Sequence, residues 1–154
     1  MTKNLRIAIV VSSFNDFVTD RLLEGASEAL HEAGVDGTAV EILKVPGAFE
    51  IPMAARHAAE SGQFDTVICL GCLIRGATPH FEYIASAVAH GLMAAAGETG
   101  VPMSFGVLTT NSVEEAIERA GAGSGNKGWE AAVAGLEMAS TCAQLNPRGQ
   151  AQGR

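Results

Sequence analysis

The chain has 154 residues, of which 47% are hydrophobic, and its ten basic residues stand against seventeen acidic ones for a formal net charge of -7. That length suits one domain with a well-filled core and excludes the polar, highly charged composition of a disordered chain. The acidic balance lacks the counterion-release footprint of a nucleic-acid binder, and no apolar run approaches the roughly 18 to 20 residues that span a bilayer, so neither nucleic acid nor membrane is an expected partner.

In chain order, Lys3 and Arg6 precede a short apolar run, but polar Ser12, Ser13, Asn15 and Asp16 follow in place of a small-residue cleavage site. The run reads as a first strand over residues 5–11, followed by a helix over 19–33 that Gly34 stops. Further strands are expected over 38–45, 66–73 and 104–109, with helices over 49–60, 79–96, 113–120 and 128–145. Ser112 followed by Glu115 fits a capping box at the start of the fourth helix, and Gly121 fits a stop at its end. Short β-branched strands alternating with Ala/Leu-rich helices imply a parallel sheet with crossover helices. Residues 1–145 read as a single domain and the Pro/Gly/Gln-rich residues 146–154 as a loose tail. Three cysteines without a secretory signal point to a reducing cytoplasm. The helices over 79–96 and 128–145 carry Ala, Val, Leu and Met around most of their circumference, so each is expected to bury a second face against another subunit.

Ligands bind an open parallel sheet beyond the carboxyl ends of its strands. Four segments there should line one rim: Ser12-Ser13-Phe14-Asn15, Val45-Pro46-Gly47-Ala48-Phe49-Glu50, Ile74-Arg75-Gly76-Ala77-Thr78-Pro79-His80 and Thr109-Thr110-Asn111-Ser112. In the third, Gly76 frees the backbone, Thr78 can cap and Pro79 suits a first helical turn, which makes either a phosphate site or a plain well-capped turn. His80 falls in that first turn, as a proton carrier or as a surface histidine; His31, His57 and His90 lie in helical runs away from the rim. Phe14 and Phe49 follow strand ends, where they either stack on a planar ligand or pack in the core. Glu50 either complements a helix dipole or binds sugar hydroxyls. Cys69 and Cys72 lie three apart on a strand and so point to opposite faces, which argues against a disulfide or zinc pair, and Cys142 on an apolar helix reads as core. The Gly-rich stretch over 120–128, bordered by Arg119, Asn126 and Lys127, lacks the strand-then-loop order of a nucleotide fingerprint.

Taken together these segments resemble one family. Phe14-Asn15, Val45-Pro46-Gly47-Ala48-Phe49-Glu50-Ile51-Pro52, Arg75-Gly76-Ala77-Thr78-Pro79-His80-Phe81-Glu82-Tyr83-Ile84, Ser104-Phe105-Gly106-Val107-Leu108-Thr109-Thr110 and Ile117-Glu118-Arg119-Ala120-Gly121 with Gly125-Asn126-Lys127-Gly128 are similar, in order, to the 6,7-dimethyl-8-ribityllumazine synthases. Departures are few: Ser13 stands where many relatives carry a basic residue, position 49 is Phe where Trp is frequent, and Gly123 and Ser124 replace more polar residues.

The resemblance implies a three-layer α/β/α flavodoxin-like domain with a four-stranded parallel sheet. It implies a cytoplasmic transferase of riboflavin biosynthesis that needs no cofactor or metal. Its reaction joins 5-amino-6-(D-ribitylamino)uracil to 3,4-dihydroxy-2-butanone 4-phosphate by imine formation, phosphate loss, ring closure and dehydration. By resemblance, Phe14 covers the pyrimidinedione ring, Ala48, Phe49 and Glu50 border the ribityl chain, and Cys72, Leu73 and Ile74 offer backbone contacts. Ala77 and Thr78 hold the ketone phosphate with help from Arg119, His80 moves protons, Phe105 is donated across a subunit interface and Lys127 is a second positive charge. The family also implies a homopentamer, a 60-subunit shell as the larger form, and riboflavin synthase as a candidate partner. Two other classes fail at the rim: an FMN carrier needs a Gly-rich loop after the first strand, and a receiver domain needs acidic residues where Ser12, Ser13 and Arg75 stand. A non-catalytic shell homologue is separated from an enzyme by turnover of the two substrates.

Overall fold

The computed structural model describes residues 4–145. Its elements are β1 (Ile7–Ser12), α1 (Asp16–Glu32), β2 (Val40–Val45), α2 (Ile51–Glu60), β3 (Thr66–Ile74), α3 (His80–Thr99), β4 (Met103–Thr110), α4 (Val113–Arg119) and α5 (Lys127–Leu145), with 3₁₀ turns at Gly37–Ala39 and Ala48–Glu50. The four strands pair in parallel in the order β2-β1-β3-β4. A strand buried on both faces reads as an unbroken apolar run, and all six residues of β1 are buried. Alternate residues feed two cores. Ile7, Ile9, Val11, Ile68 and Leu70 pack with Val18 and Leu22 of α1 and Ala132 and Leu136 of α5. On the other face Ala8, Val10 and Val67 pack with Ile51 and Ala55 of α2 and Val88 and Leu92 of α3. This is the expected three-layer α/β/α flavodoxin-like arrangement. The tail expected over residues 146–154 lies outside the described residues.

Boundaries shift where local backbone chemistry competes with the apolar pattern. α1 starts three residues before the expected position, because Asn15 turns through the left-handed region (φ 64°, ψ 45°) and its carbonyl at once accepts from Val18 and Thr19 N–H. Short polar Asn is among the few non-glycine residues that tolerate this conformation. The start expected for β2 is a 3₁₀ turn instead, because Asp36 accepts from the backbone N–H and hydroxyl of Thr38. α3 runs on to Thr99 before Gly100 ends it at φ 75°. Gly34 (φ 87°) does close α1, whereas Gly121 is not left-handed and α4 ends through Ala120. At Ser112 the capping box is displaced: its hydroxyl accepts from Glu115 N–H, but the Glu115 carboxylate takes the N–H of Asn111.

α1 and α5 approach closely enough that a Cβ on Gly128 would collide with the backbone carbonyl of Leu22. Gly128→Ala should therefore force the two helices apart and cost about 3 kcal/mol, the upper end of ordinary overpacking; denaturant unfolding checks this, and an unchanged midpoint would contradict it.

The two all-apolar helices leave much of their surface uncovered by their own chain. Of the twenty residues of α3 only Val88, Leu92 and Ala95 are buried, while Tyr83 and Met93 are 72% and 78% exposed. α5 exposes Val133, Met138 and Leu145. Among the described residues no helix is long and apolar enough to cross a membrane.

Candidate active site

The strand order makes the chain change direction between β1 and β3: β1 is followed by a neighbour on one side, β2, and β2 by a crossover to β3 on the other side of β1. Such a reversal leaves a crevice at the carboxyl ends of the two strands. Asn15 spans it, its side-chain N–H donating to the Cys72 carbonyl at 3.0 Å. Above this bond opens a cleft of about 430 Å³, walled by Phe14 and Asn15 after β1, by Gly47, Ala48, Phe49 and Glu50 after β2, and by Leu73, Ile74, Gly76, Thr78, His80, Phe81 and Ile84 after β3.

Phe14 and Phe49 are 68% and 62% exposed, so of the two readings open for them, core packing is excluded. Ala48 is buried at the base of the wall. One carboxylate oxygen of Glu50 accepts from Gly47 N–H at 2.9 Å, which fixes the side chain and leaves the second oxygen for another donor. Cys72 contributes no side chain to the cleft; it is buried beneath, with its carbonyl held by Asn15. Asn15, Phe81 and Ile84 line the cleft without having been singled out for a role; an Asn at a strand end before a helix start was the available signal for the first.

The turn after β3 departs from expectation in one respect. Pro79, not Thr78, occupies the N-cap position of α3, and no side chain caps the helix. Thr78 is thus one residue too early to cap, and lines the cleft. His80 is the first residue of α3, and Ala77 sits exposed in the turn without lining the cleft. Arg75 clamps this turn from behind: Nε donates to Asn111 Oδ1 and Nη1 to Glu82 Oε1, both at 2.9 Å, and the guanidinium lies over the Phe81 ring. Arg75 thus braces the turn, and no arginine is among the residues that line the cleft.

The four strand-end segments do share the carboxyl edge of the parallel sheet, and the fourth lies against the third, with the Thr110 carbonyl and Asn111 side chain both bonded to Arg75. The fourth does not line this cleft, however: Thr109 faces a second cleft of about 360 Å³, lined by Phe105, Thr109, Arg119, Lys127, Glu130 and Ala134 among others. Phe105 is half exposed, Lys127 Nζ lies 3.1 Å from Glu130 Oε1, and Arg119 makes only a long 3.5 Å contact to the Glu115 carbonyl. Within one chain, therefore, Phe105 and Arg119 are not brought together with Thr78 and His80.

Cys69 and Cys72 belong to the cores on opposite faces of the sheet, as their spacing requires. Burial pushes the Cys69 thiol up to about 12 and that of Cys72 up to about 11. Since the thiolate is the reactive form, both should resist iodoacetamide at pH 8 in the native protein and react once it is unfolded, as mass spectrometry of the digests would reveal; rapid native alkylation of either would contradict it. Cys142, expected in the core, is only half-buried because the last turn of α5 runs off the sheet, leaving Leu145 81% exposed.

Similarity to known proteins extends over nearly the whole chain. The family model described as 6,7-dimethyl-8-ribityllumazine synthase matches residues 4–143. The chain is 50% identical over 145 residues to the protein of that name from Syntrophus aciditrophicus, covering 94% of each. It is 52% identical over 151 residues to its counterpart from Microcystis aeruginosa, covering 96% of this chain and 83% of that one.

Proposed function

Because the chain belongs to the 6,7-dimethyl-8-ribityllumazine synthase family, we propose that its two clefts are the halves of one active site, which forms where the second cleft of one copy meets the first cleft of the next. The reaction is that of the family: a transferase of riboflavin biosynthesis, it condenses 5-amino-6-(D-ribitylamino)uracil with 3,4-dihydroxy-2-butanone 4-phosphate and releases phosphate and water. The observation that carries the composite site is the division of residues: the first cleft is lined by the aromatic walls and His80 but by no Lys or Arg, whereas Arg119 and Lys127 line the second.

In this reading Phe14 covers the pyrimidinedione and Phe105 of the adjoining copy closes the other side, as flat apolar rings suit a flat heterocycle. The backbone of Cys72, Leu73 and Ile74 reads its polar edge. Ala48 and Phe49 border the ribityl chain, and the free oxygen of Glu50 accepts from a hydroxyl. The ketone phosphate lies at Ala77 and Thr78, against the uncapped start of α3, where unsatisfied N–H groups and the helix dipole favour an anion. Arg119 of the neighbour adds a fork of donors and Lys127 a second charge. With both substrates so held, the amine nitrogen attacks the ketone carbon. His80 relays the protons that the nitrogen loses to the departing hydroxyl, giving the imine and water. The carbon beside the imine then loses its proton, and its C–H electrons form a C=C bond as phosphate leaves with the electron pair of its C–O bond. The enol returns to a carbonyl, on which the ribitylamino nitrogen closes the ring with loss of a second water. Orientation and proton transfer are the contributions asked of the protein.

A single domain over residues 1–145 carries this function, in the cytoplasm. A heterologous contact that repeats around a closed ring gives the pentamer, and the short connector at residues 121–127 resembles that of relatives building a 60-subunit shell. Riboflavin synthase, which takes the product, is the partner enzyme.

Arg119→Ala tests the composite site. Losing charge-assisted hydrogen bonds to a phosphate should raise KM for the ketone phosphate by about 10- to 100-fold, with KM for the ribitylamino substrate unchanged in steady-state assays. A change confined to the ribitylamino substrate would overturn the assignment.

A further inference from the structure

We infer that Asn126 is a positioning residue for the phosphate of the small ketone substrate, acting through Arg119 and Lys127. The inference rests on the reading above that those two cations face the phosphate. Residues 120–126 join the end of α4, which carries Arg119, to the start of α5, which carries Lys127. A loop containing Gly121, Gly123 and Gly125 has little stiffness of its own, so something else must hold the two cations in register.

One buried amide does so. Asn126 is 3% exposed, and its side-chain N–H groups donate to the carbonyls of Gly121 at 2.8 Å and Arg21 at 3.1 Å. Its Oδ1 accepts from Gly128 N–H at 2.7 Å and Trp129 N–H at 3.1 Å. An amide offers two donors and an acceptor with two lone pairs, so its capacity is filled. The four bonds reach three bodies: Gly121 is the second residue past Arg119, Arg21 belongs to α1, and the Gly128 and Trp129 N–H groups open the helix that begins at Lys127. The amide occupies a slot that exists only because positions 25 and 128 are glycine, since a Cβ at either would run into its oxygen. The side chain thus ties the second residue beyond α4's end, the start of α5 and the body of the domain to one rigid point, and so sets the separation of the two cations along the second cleft.

Two substitutions separate this role from plain helix capping. Ser and Asp are both good N-caps, so Asn126→Ser and Asn126→Asp keep an oxygen for the start of α5 while removing the donors to Gly121 and Arg21; Ser also leaves the charge unaltered. Assembled enzyme carrying either variant is expected to show a KM for the ketone phosphate raised about 10-fold, the effect of losing one well-placed charge-assisted contact. Competition by inorganic phosphate should weaken to match, with KM for the ribitylamino substrate and kcat at saturation within about twofold. Either variant decides if the other does not assemble. An unchanged KM for the ketone phosphate, an equal loss for both substrates, or a rise with Asp while Ser behaves as the parent would overturn the inference. Arg119→Ala run alongside separates the two levels: if it too leaves that KM unchanged, the assignment of the phosphate site fails, whereas a raised KM there with normal Asn126 variants refutes only the role of Asn126.

Discussion

His80→Ala is expected to slow turnover by about 10²- to 10⁴-fold, the usual contribution of one acid–base group. The histidine is the first residue of α3 and its ring borders the cleft along with Phe14, Phe49 and Thr78. Among the described residues no hydrogen bond or ion pair holds that ring. The start of α3 is held instead by Arg75, through Glu82, Asn111 and the Phe81 ring, and Ala is the best helix former at an exposed first-turn position. The loss should therefore appear in kcat, with KM for either substrate little changed, because an interaction made only as protons move contributes to the transition state and not to binding. Product absorbance under saturating amounts of both substrates measures it. Equal rates for variant and parent would reduce His80 to an exposed helix-start side chain.

The same residue illustrates how far the sequence could be read. A run such as Ile7-Ala8-Ile9-Val10-Val11 suits a strand buried on both faces, and its alternation with Ala/Leu-rich helices selects a parallel sheet, so the layered fold was legible from apolar pattern and glycine punctuation. The opposed faces of Cys69 and Cys72 followed from strand periodicity alone. Local geometry was less legible where side chains compete with the backbone: Asp36 builds a 3₁₀ turn in place of strand, and Asn15 takes a left-handed conformation that advances the start of α1. Moving the cap of α3 from Thr78 to Pro79 is a shift of one residue, yet it turns Thr78 from a structural hydroxyl into one that lines a cleft. The hardest feature to read was the separation of Arg119 from His80; that of Phe105 was implied by the family resemblance alone. The separation depends on β3 and β4 opening onto different clefts, a property of strand order that neither composition nor periodicity encodes.

That separation makes the second large effect one of assembly: dilution to the monomer should abolish activity. A lone chain has an aromatic cleft and a proton carrier without a phosphate-binding cation beside them, and a second cleft with cations and no reacting groups. It also exposes Tyr83 and Met93 on α3 and Val133 and Met138 on α5, apolar surface of the kind that drives association. Joining first cleft to second is a head-to-tail contact, which closes into a ring when the rotation allows; five copies make the proposed pentamer. Mixing supplies a sharper test than dilution. His80→Ala damages one cleft and Arg119→Ala the other, so in rings reassembled from equal parts of the two variants about a quarter of the sites join an intact His80 to an intact Arg119. Assayed at low ketone phosphate, the mixture should regain that share of parental activity, while neither variant does so alone. Sites contained within single chains would gain nothing on mixing, so a flat result, or an active monomer by sedimentation, would sink the interfacial site. The same sedimentation runs address the shell: a species of sixty chains at neutral pH supports it, and a pentamer that never grows across buffers removes it while leaving the ring, and the site between its members, in place.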